Sequence, residues 1–72
     1  MYQQNGVRIM RRALQLKQQE LSVRAGISPA ELVLIEKYHH LPGEEVRGKL
    51  SQAMGVSESM LWPELEPVTE AR

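Results

Sequence analysis

Apolar residues recur along most of this chain at intervals of three and four, and strict alternation of apolar and polar residues is almost absent. That spacing is typical of amphipathic helices that bury one stripe of side chains. It predicts an all-α fold of five helices around one core. The helices are expected from about Gly6 to Leu14, from Gln18 to Ala25, from Pro29 to Lys37, from about Pro42 to Met54, and from the capping residue Ser57 through Leu61.

The predicted inward stripes define the expected core. They consist of Val7, Met10, Leu14, Leu21, Ala25, Ile27, Leu32, Ile35, Val46, Leu50, Ala53 and Met54. Gly48 weakens the fourth helix by about 1 kcal/mol relative to alanine, which predicts close contact with another backbone there. Trp62 and Pro63 are expected to close a domain of residues 1–65. Residues 66–72 lack periodicity and are expected to form a flexible acidic tail.

The junction between the second and third helices is the most informative segment. Gly26 follows a helical run where a left-handed residue commonly ends a helix. Ser28, Pro29 and Glu31 then form a helix start, with a capping hydroxyl, a proline at the first helical position and a carboxylate three residues after the cap. This pattern predicts two short helices joined at a steep angle, as in a helix-turn-helix.

Composition narrows the classes of function. The chain has 72 residues and no cysteine, so we expect one small domain without a disulfide or a thiolate metal site. His39 and His40 are adjacent, which is not a helical ligand spacing, and no serine has an evident catalytic base. We therefore expect no metal, no cofactor and no enzymatic activity. The absence of a signal peptide and of an apolar run near 20 residues predicts a cytoplasmic protein.

Charge is balanced overall but unevenly distributed. The formal net charge is zero, which alone argues against nucleic-acid binding. Residues 1–27, however, hold five basic residues and one acidic residue, a net of +4, whereas residues 50–72 hold one basic and four acidic residues, a net of −3. This asymmetry fits either ordinary solvated charge or a basic face directed towards phosphate.

Four motifs follow one another along the chain: Leu16-Lys17-Gln18-Gln19-Glu20-Leu21, Ala25-Gly26-Ile27-Ser28, Leu32 with Ile35-Glu36, and Ala53-Met54-Gly55-Val56-Ser57 leading into Leu61-Trp62-Pro63. Together they resemble a known family, the lambda-repressor-like, Cro-type helix-turn-helix domains of bacteria and phages. The resemblance runs from about Val7 to Leu65. It implies a transcriptional regulator that binds double-stranded DNA.

The resemblance also assigns expected roles to residues. It implies that the third helix lies in the major groove while the start of the second abuts the DNA backbone. Lys17 and Gln18 fall at the family's phosphate-contacting positions, and Lys37, Tyr38 and His39 are expected to add backbone contacts. Arg11 and Glu36 match positions where the family often forms a structural ion pair between helix 1 and the end of helix 3.

The positions expected to face the bases are unusual. By alignment with the family motif they are Pro29, Ala30 and Leu34, with Ser28, Glu31 and Val33 beside them. Most of these side chains cannot donate a hydrogen bond to a base edge, although the apolar ones can contact thymine methyl groups. Two hypotheses follow. Either the protein binds DNA through backbone contacts, methyl contacts and DNA shape, or the apolar face of helix 3 has become a protein-interaction module that binds a protein partner.

A homodimer is the expected assembly on DNA. Two copies would place their recognition helices about 34 Å apart, on successive major-groove faces. The segment from Val56 to Trp62 is the expected contact, through Val56, Met60, Leu61 and Trp62, because it carries more apolar surface than so small a core obviously needs. In the competing interpretation, Trp62 simply covers the end of the core.

Overall fold

The computed structural model describes residues 5–63 and consists of five helices. They are α1 (Val7–Ala13), α2 (Gln18–Ala25), α3 (Pro29–Tyr38), α4 (Glu44–Met54) and α5 (Glu58–Leu61). No strand occurs within these residues, which confirms the all-α prediction. None of the helices in this part of the chain is long and apolar enough to cross a membrane. The domain boundary near residue 65 and the tail 66–72 lie outside the described residues.

The α2–α3 junction has the geometry that its residues predict. Gly26 is left-handed, with φ 73° and ψ 34°, and its N–H donates to the carbonyls of Ser22 and Val23. Ile27 N–H also donates to Ser22 O at 3.0 Å. Ser28 then caps α3, because its Oγ accepts from the N–H of Glu31 at 3.1 Å. The junction is therefore a helix stop followed at once by a helix start.

The core lies where all five helices meet. α2 packs against α3 and α4, α1 packs against α3, and α5 packs against α4. The buried hydrophobic residues are Val7, Leu21, Ala25, Leu32, Ile35, Leu50, Met54, Leu61 and Trp62, with Met10, Leu16, Ile27, Val46, Ala53 and Val56 packed partly against them. The predicted stripes on α2, α3 and α4 are thus confirmed.

The predicted burial of Leu14 is wrong. Leu14 is 43% exposed because α1 ends at Ala13 and the chain turns away through Gln15, which is left-handed with φ 61°. The inward position one turn after Val7 is taken by Arg11, which is 8% exposed. A charged residue therefore occupies part of the face that the apolar pattern assigned to Leu14.

Three details of α4 and α5 also differ from expectation. α4 begins at Glu44 with Gly43 as its N-cap, so Pro42 precedes the helix, and its side chain is buried. Gly48 has no close backbone neighbour, since a Cβ there would meet only Glu58 Oε2, at 3.9 Å. Ser57 occupies the N-cap position of α5, but its hydroxyl lies 3.2 Å from Ser59 Oγ and makes no cap hydrogen bond.

Candidate nucleic-acid interface

The outward face of α3 is largely apolar. Leu32, Ile35 and Glu36 are buried, so the helical period directs the opposite stripe outwards. That stripe consists of Ala30, Val33, Leu34 and Lys37; Leu34 is 47% exposed and Val33 is half-buried. Ser28 and Pro29 are exposed at the start of the helix. Five of the six predicted base-facing residues therefore lack a side-chain donor on this accessible surface.

Ser28 and Glu31 form only one of the two hydrogen bonds of the predicted capping box. The hydroxyl oxygen of Ser28 is engaged by the Glu31 N–H, whereas the Glu31 carboxylate has no hydrogen bond or ion pair within residues 5–63. The reciprocal capping bond occurs instead on α2, where the Lys17 N–H donates to Glu20 Oε1 at 2.8 Å. Glu31 is thus a half-buried residue beside the outward face, and its carboxylate oxygens can still accept hydrogen bonds.

Behind this face, a buried polar cluster joins α1, α2 and α3. Arg11 Nε donates to Glu36 Oε2 at 2.8 Å and Arg11 Nη2 donates to Glu36 Oε1 at 3.0 Å, a bidentate ion pair. The side chains of Arg11 and Glu36 are 10% and 1% exposed. Arg11 Nη1 also donates to Leu16 O at 2.7 Å. The pair expected from the resemblance therefore exists and fixes α3 against α1.

Gln18 is part of the same cluster. Its Nε2 donates to Glu36 Oε1 at 3.2 Å, so the buried carboxylate orients this side chain at the first position of α2. A primary amide carries two N–H groups, and this bond uses one of them. The first-turn amides of α2 add their own partial positive charge. Gln18 is thus held as a donor at the start of a helix.

A surface hollow of about 340 Å³ lies beside Gln18. Arg8, Gln18, Val33, Glu36 and Lys37 line it. Arg8 and Lys37 are exposed, and the pairing of Glu36 with Arg11 offsets the negative charge on the floor. Arg8 was absent from the predicted contact residues, although its position three residues before Arg11 places it on the same side of α1. The hollow combines two cations, an oriented amide and a helix N-terminus, which suits an anion.

A helix-turn-helix family model matches residues 7–61, which is most of the chain. The chain belongs to the lambda-repressor and Cro-like helix-turn-helix family. Members of this family are DNA-binding transcription regulators and are typically not enzymes. A search of curated proteins found no match.

In this helix-turn-helix domain, the end of α3 carries the other three predicted backbone contacts. Lys37 Nζ lies 5.5 Å from the centre of the Tyr38 ring, within the range of a cation–π interaction. Tyr38 is 60% exposed. His39 ends the helix in a left-handed conformation with φ 56°, and its Nδ1 accepts from the backbone N–H of Asn5 at 3.3 Å. His39 is therefore tied to the start of the domain.

Sequence reasoning missed Asn5. Its Nδ2 donates to Ile35 O at 2.9 Å, and its Oδ1 accepts from Val7 N–H at 3.1 Å. Asn5 is 6% exposed and links the first turn of α1 to the last turn of α3. Asparagine directly before glycine is a known local turn signal, but the bond of Asn5 to Ile35 spans thirty residues. That long-range bond left no trace in the sequence pattern.

The expected dimer contact is only partly accessible. Leu61 and Trp62 are 0% and 1% exposed, because they pack into the core of the helix-turn-helix domain. Neither side chain is therefore accessible to a partner subunit, which favours the interpretation in which Trp62 covers the end of the core. Val56 is half-buried, and Met60 is 55% exposed. Of the four predicted contact residues, only these two are accessible to a partner subunit.

The candidate metal-ligating side chains of the described residues lie apart from one another. Within residues 5–63, no group of three or more histidine, aspartate or glutamate side chains is placed to hold a metal ion. His39 accepts a hydrogen bond through Nδ1 and His40 is exposed, so the adjacent histidines do not converge on one site.

Proposed function

We propose that this protein is a transcriptional regulator that binds double-stranded DNA as a homodimer in the cytoplasm, with α3 in the major groove. The hollow at the start of α2 carries the proposal. It places Arg8, Gln18 and Lys37 beside the outward face of α3. Lys17 directly precedes Gln18 as the N-cap of α2. A phosphate there would meet two cations and an oriented amide while α3 faces the bases.

The homodimer would position two recognition helices at the spacing of two DNA half-sites. Two recognition helices must sit about 34 Å apart to enter successive major-groove faces. We propose that the exposed Met60 and the half-buried Val56 form the contact between subunits. A Met60→Lys variant should then shift the dimer to monomer in analytical ultracentrifugation. It should also weaken binding to a two-fold-related site more than binding to a half-site.

The direct test of DNA binding is a salt series. Fluorescence anisotropy with a labelled random-sequence duplex should show affinity that falls steeply as salt rises, because phosphate contacts release counterions. Lys17→Ala and Lys37→Ala should each weaken binding to all sequences and shallow the slope of log K against log salt by about one.

Lys49→Ala is the matched control for these lysine variants. Lys49 lies on α4, and its Nζ is 3.6 Å from Glu45 Oε2. Its removal should leave both affinity and salt slope close to those of the parent. Parent-like binding by Lys17→Ala and Lys37→Ala, or no measurable affinity of the parent for any duplex, would contradict the proposal.

A protein-interaction role is the second candidate, and the apolar outward face of α3 favours it. Leu34 and Tyr38 lie one turn apart, and both are substantially exposed. A protein partner would bury them in an interface. In that case Leu34→Ala would abolish capture of the partner, and the lysine variants would have no effect on it.

A further inference from the structure

The side chains on the outward face of α3 do not match the hydrogen-bonding groups of most base edges. Guanine presents two acceptors to the major groove, and adenine presents an acceptor beside a donor. The usual readers of these bases are arginine, lysine, asparagine and glutamine, and on the outward stripe only Lys37, in the last turn of α3, is one of them. Ala30, Val33 and Leu34 supply neither donors nor acceptors. The feature of the groove that they do match is apolar, namely the methyl group on C5 of a pyrimidine.

We infer that α3 reads pyrimidine C5-methyl groups in the major groove, with Leu34 as the main specificity-determining residue. This inference rests on the DNA-binding function proposed above. Leu34 is the most prominent apolar side chain on the outward stripe at 47% exposure, and half-buried Val33 adjoins it. Lys37, one turn after Val33, provides the positive charge that would hold this face against the duplex.

The spacing along α3 sets the geometry of the proposed target. Ala30 and Leu34 are four residues apart, which corresponds to about 6 Å along a helix axis. Successive base pairs are about 3.4 Å apart, so these two residues reach methyl groups within about two base-pair steps. The small side chain of Ala30 lets the helix backbone approach the bases closely. A target with neighbouring or next-neighbouring methylated pyrimidines therefore fits this face.

Two pyrimidines carry the methyl group, thymine and 5-methylcytosine. They differ at C4, where thymine presents an acceptor and cytosine an amino donor. Glu31 bears on this difference because its carboxylate has no partner within residues 5–63 and can accept from an amino group. The methyl group is the shared chemistry, and the experiment must separate its two sources.

The test starts by selecting preferred duplexes from a random-sequence pool with the parent protein. Each thymine in the selected site is then replaced by deoxyuridine, which removes only the methyl group. In parallel, each cytosine is replaced by 5-methylcytosine, which adds one. Loss of one contacted methyl should weaken binding about fourfold, the equivalent of burying one methylene. The salt slope should stay unchanged, since no phosphate contact is altered.

Matched variants assign the effect to Leu34. Leu34→Ala should remove most of the difference between the methylated and unmethylated duplexes while keeping the parent's salt slope. Leu14→Ala is the control, because Leu14 has similar exposure, 43%, but lies at the end of α1. It should keep the parent's discrimination. Thermal melting of both variants establishes that each is folded.

The outcomes separate this inference from the proposed function. Equal affinity for thymine and deoxyuridine duplexes and for cytosine and 5-methylcytosine duplexes, with a steep salt slope, would overturn the inference and leave DNA binding intact. Failure to bind any duplex would instead overturn the proposed function. A gain from 5-methylcytosine that disappears in Glu31→Ala would identify methylated cytosine as the target. A loss confined to deoxyuridine would identify thymine.

Discussion

The two faces of α3 distribute charge and apolar surface in opposite ways. The inward face buries the Glu36 carboxylate, at 3% residue exposure, against the side chain of Arg11. The outward face exposes Leu34 at 47%, two residues away. In most amphipathic helices the carboxylate would be outside and the leucine inside. Each exchange therefore requires its own physical reason.

The reason for the buried carboxylate lies within the molecule. Glu36 accepts two bonds from Arg11 and one from Gln18, and these hydrogen bonds offset part of the desolvation cost of its carboxylate. The reason for the exposed leucine is not found in the described residues, since folding gains little from a side chain that stays half in water. The inward face of α3 is therefore explained by folding, whereas the outward face is where the proposed ligand contact would lie.

The largest expected effect comes from breaking the inward ion pair. Glu36→Ala leaves the Arg11 guanidinium buried without its carboxylate, and Arg11→Ala leaves the carboxylate without its main partner. Each variant should lose about 3 to 5 kcal/mol of unfolding free energy, measured by urea denaturation followed by circular dichroism. Because so small a domain has little unfolding free energy, a loss of this size would leave a large fraction of the molecules unfolded.

A double variant sharpens this result. Arg11→Met combined with Glu36→Leu removes both charges and fills similar volume with apolar groups, so it should be more stable than either single alanine variant. In the matched cycle, a loss for Arg11→Ala combined with Glu36→Ala that equals the sum of the two single alanine losses would show that the pair is not coupled. The ion pair would then not explain the buried carboxylate, and the contrast with Leu34 would lose half of its basis.

The next effect tests the apolar part of the inward face. Leu32 is fully buried, so Leu32→Ala should cost about 2 to 5 kcal/mol through lost burial and a residual cavity. Urea denaturation monitored by circular dichroism measures this loss directly. Cooperative melting at the parent's temperature would mean that Leu32 does not pack in the core.

The apolar pattern predicted the inward side of this contrast well. It gave the bounds of α2 and the buried residues Leu21, Leu32, Ile35 and Leu50, because period and turn chemistry are local signals. It failed at Leu14, since a period cannot say where a helix stops before a left-handed glutamine. Leu61 and Trp62 were assigned to an interface because the sequence does not show how many apolar side chains the core of five short helices can bury.

The polar contacts of the site were less accessible to sequence reasoning. The Arg11–Glu36 pair came only from the family resemblance, because an ion pair across 25 residues has no periodic signature. Asn5 and Arg8 were missed for the same reason. Their roles depend on how α1 lies against α3, which is a property of packing. Gln18 was expected at the DNA backbone, but its bond to Glu36 emerged only from the structure.

The smallest expected effect on stability belongs to the outward face and completes the comparison. Leu34→Ala should cost about 1 kcal/mol or less, because the side chain is half in water and alanine favours the helix. Urea denaturation of Leu34→Ala and Leu32→Ala under the same conditions is the matched measurement, because both variants replace leucine by alanine in the same helix, two residues apart. A loss equal to that of Leu32→Ala would show that Leu34 supports the fold. Its exposure would then no longer point to a ligand, and the apolar outward face would need no partner to explain it.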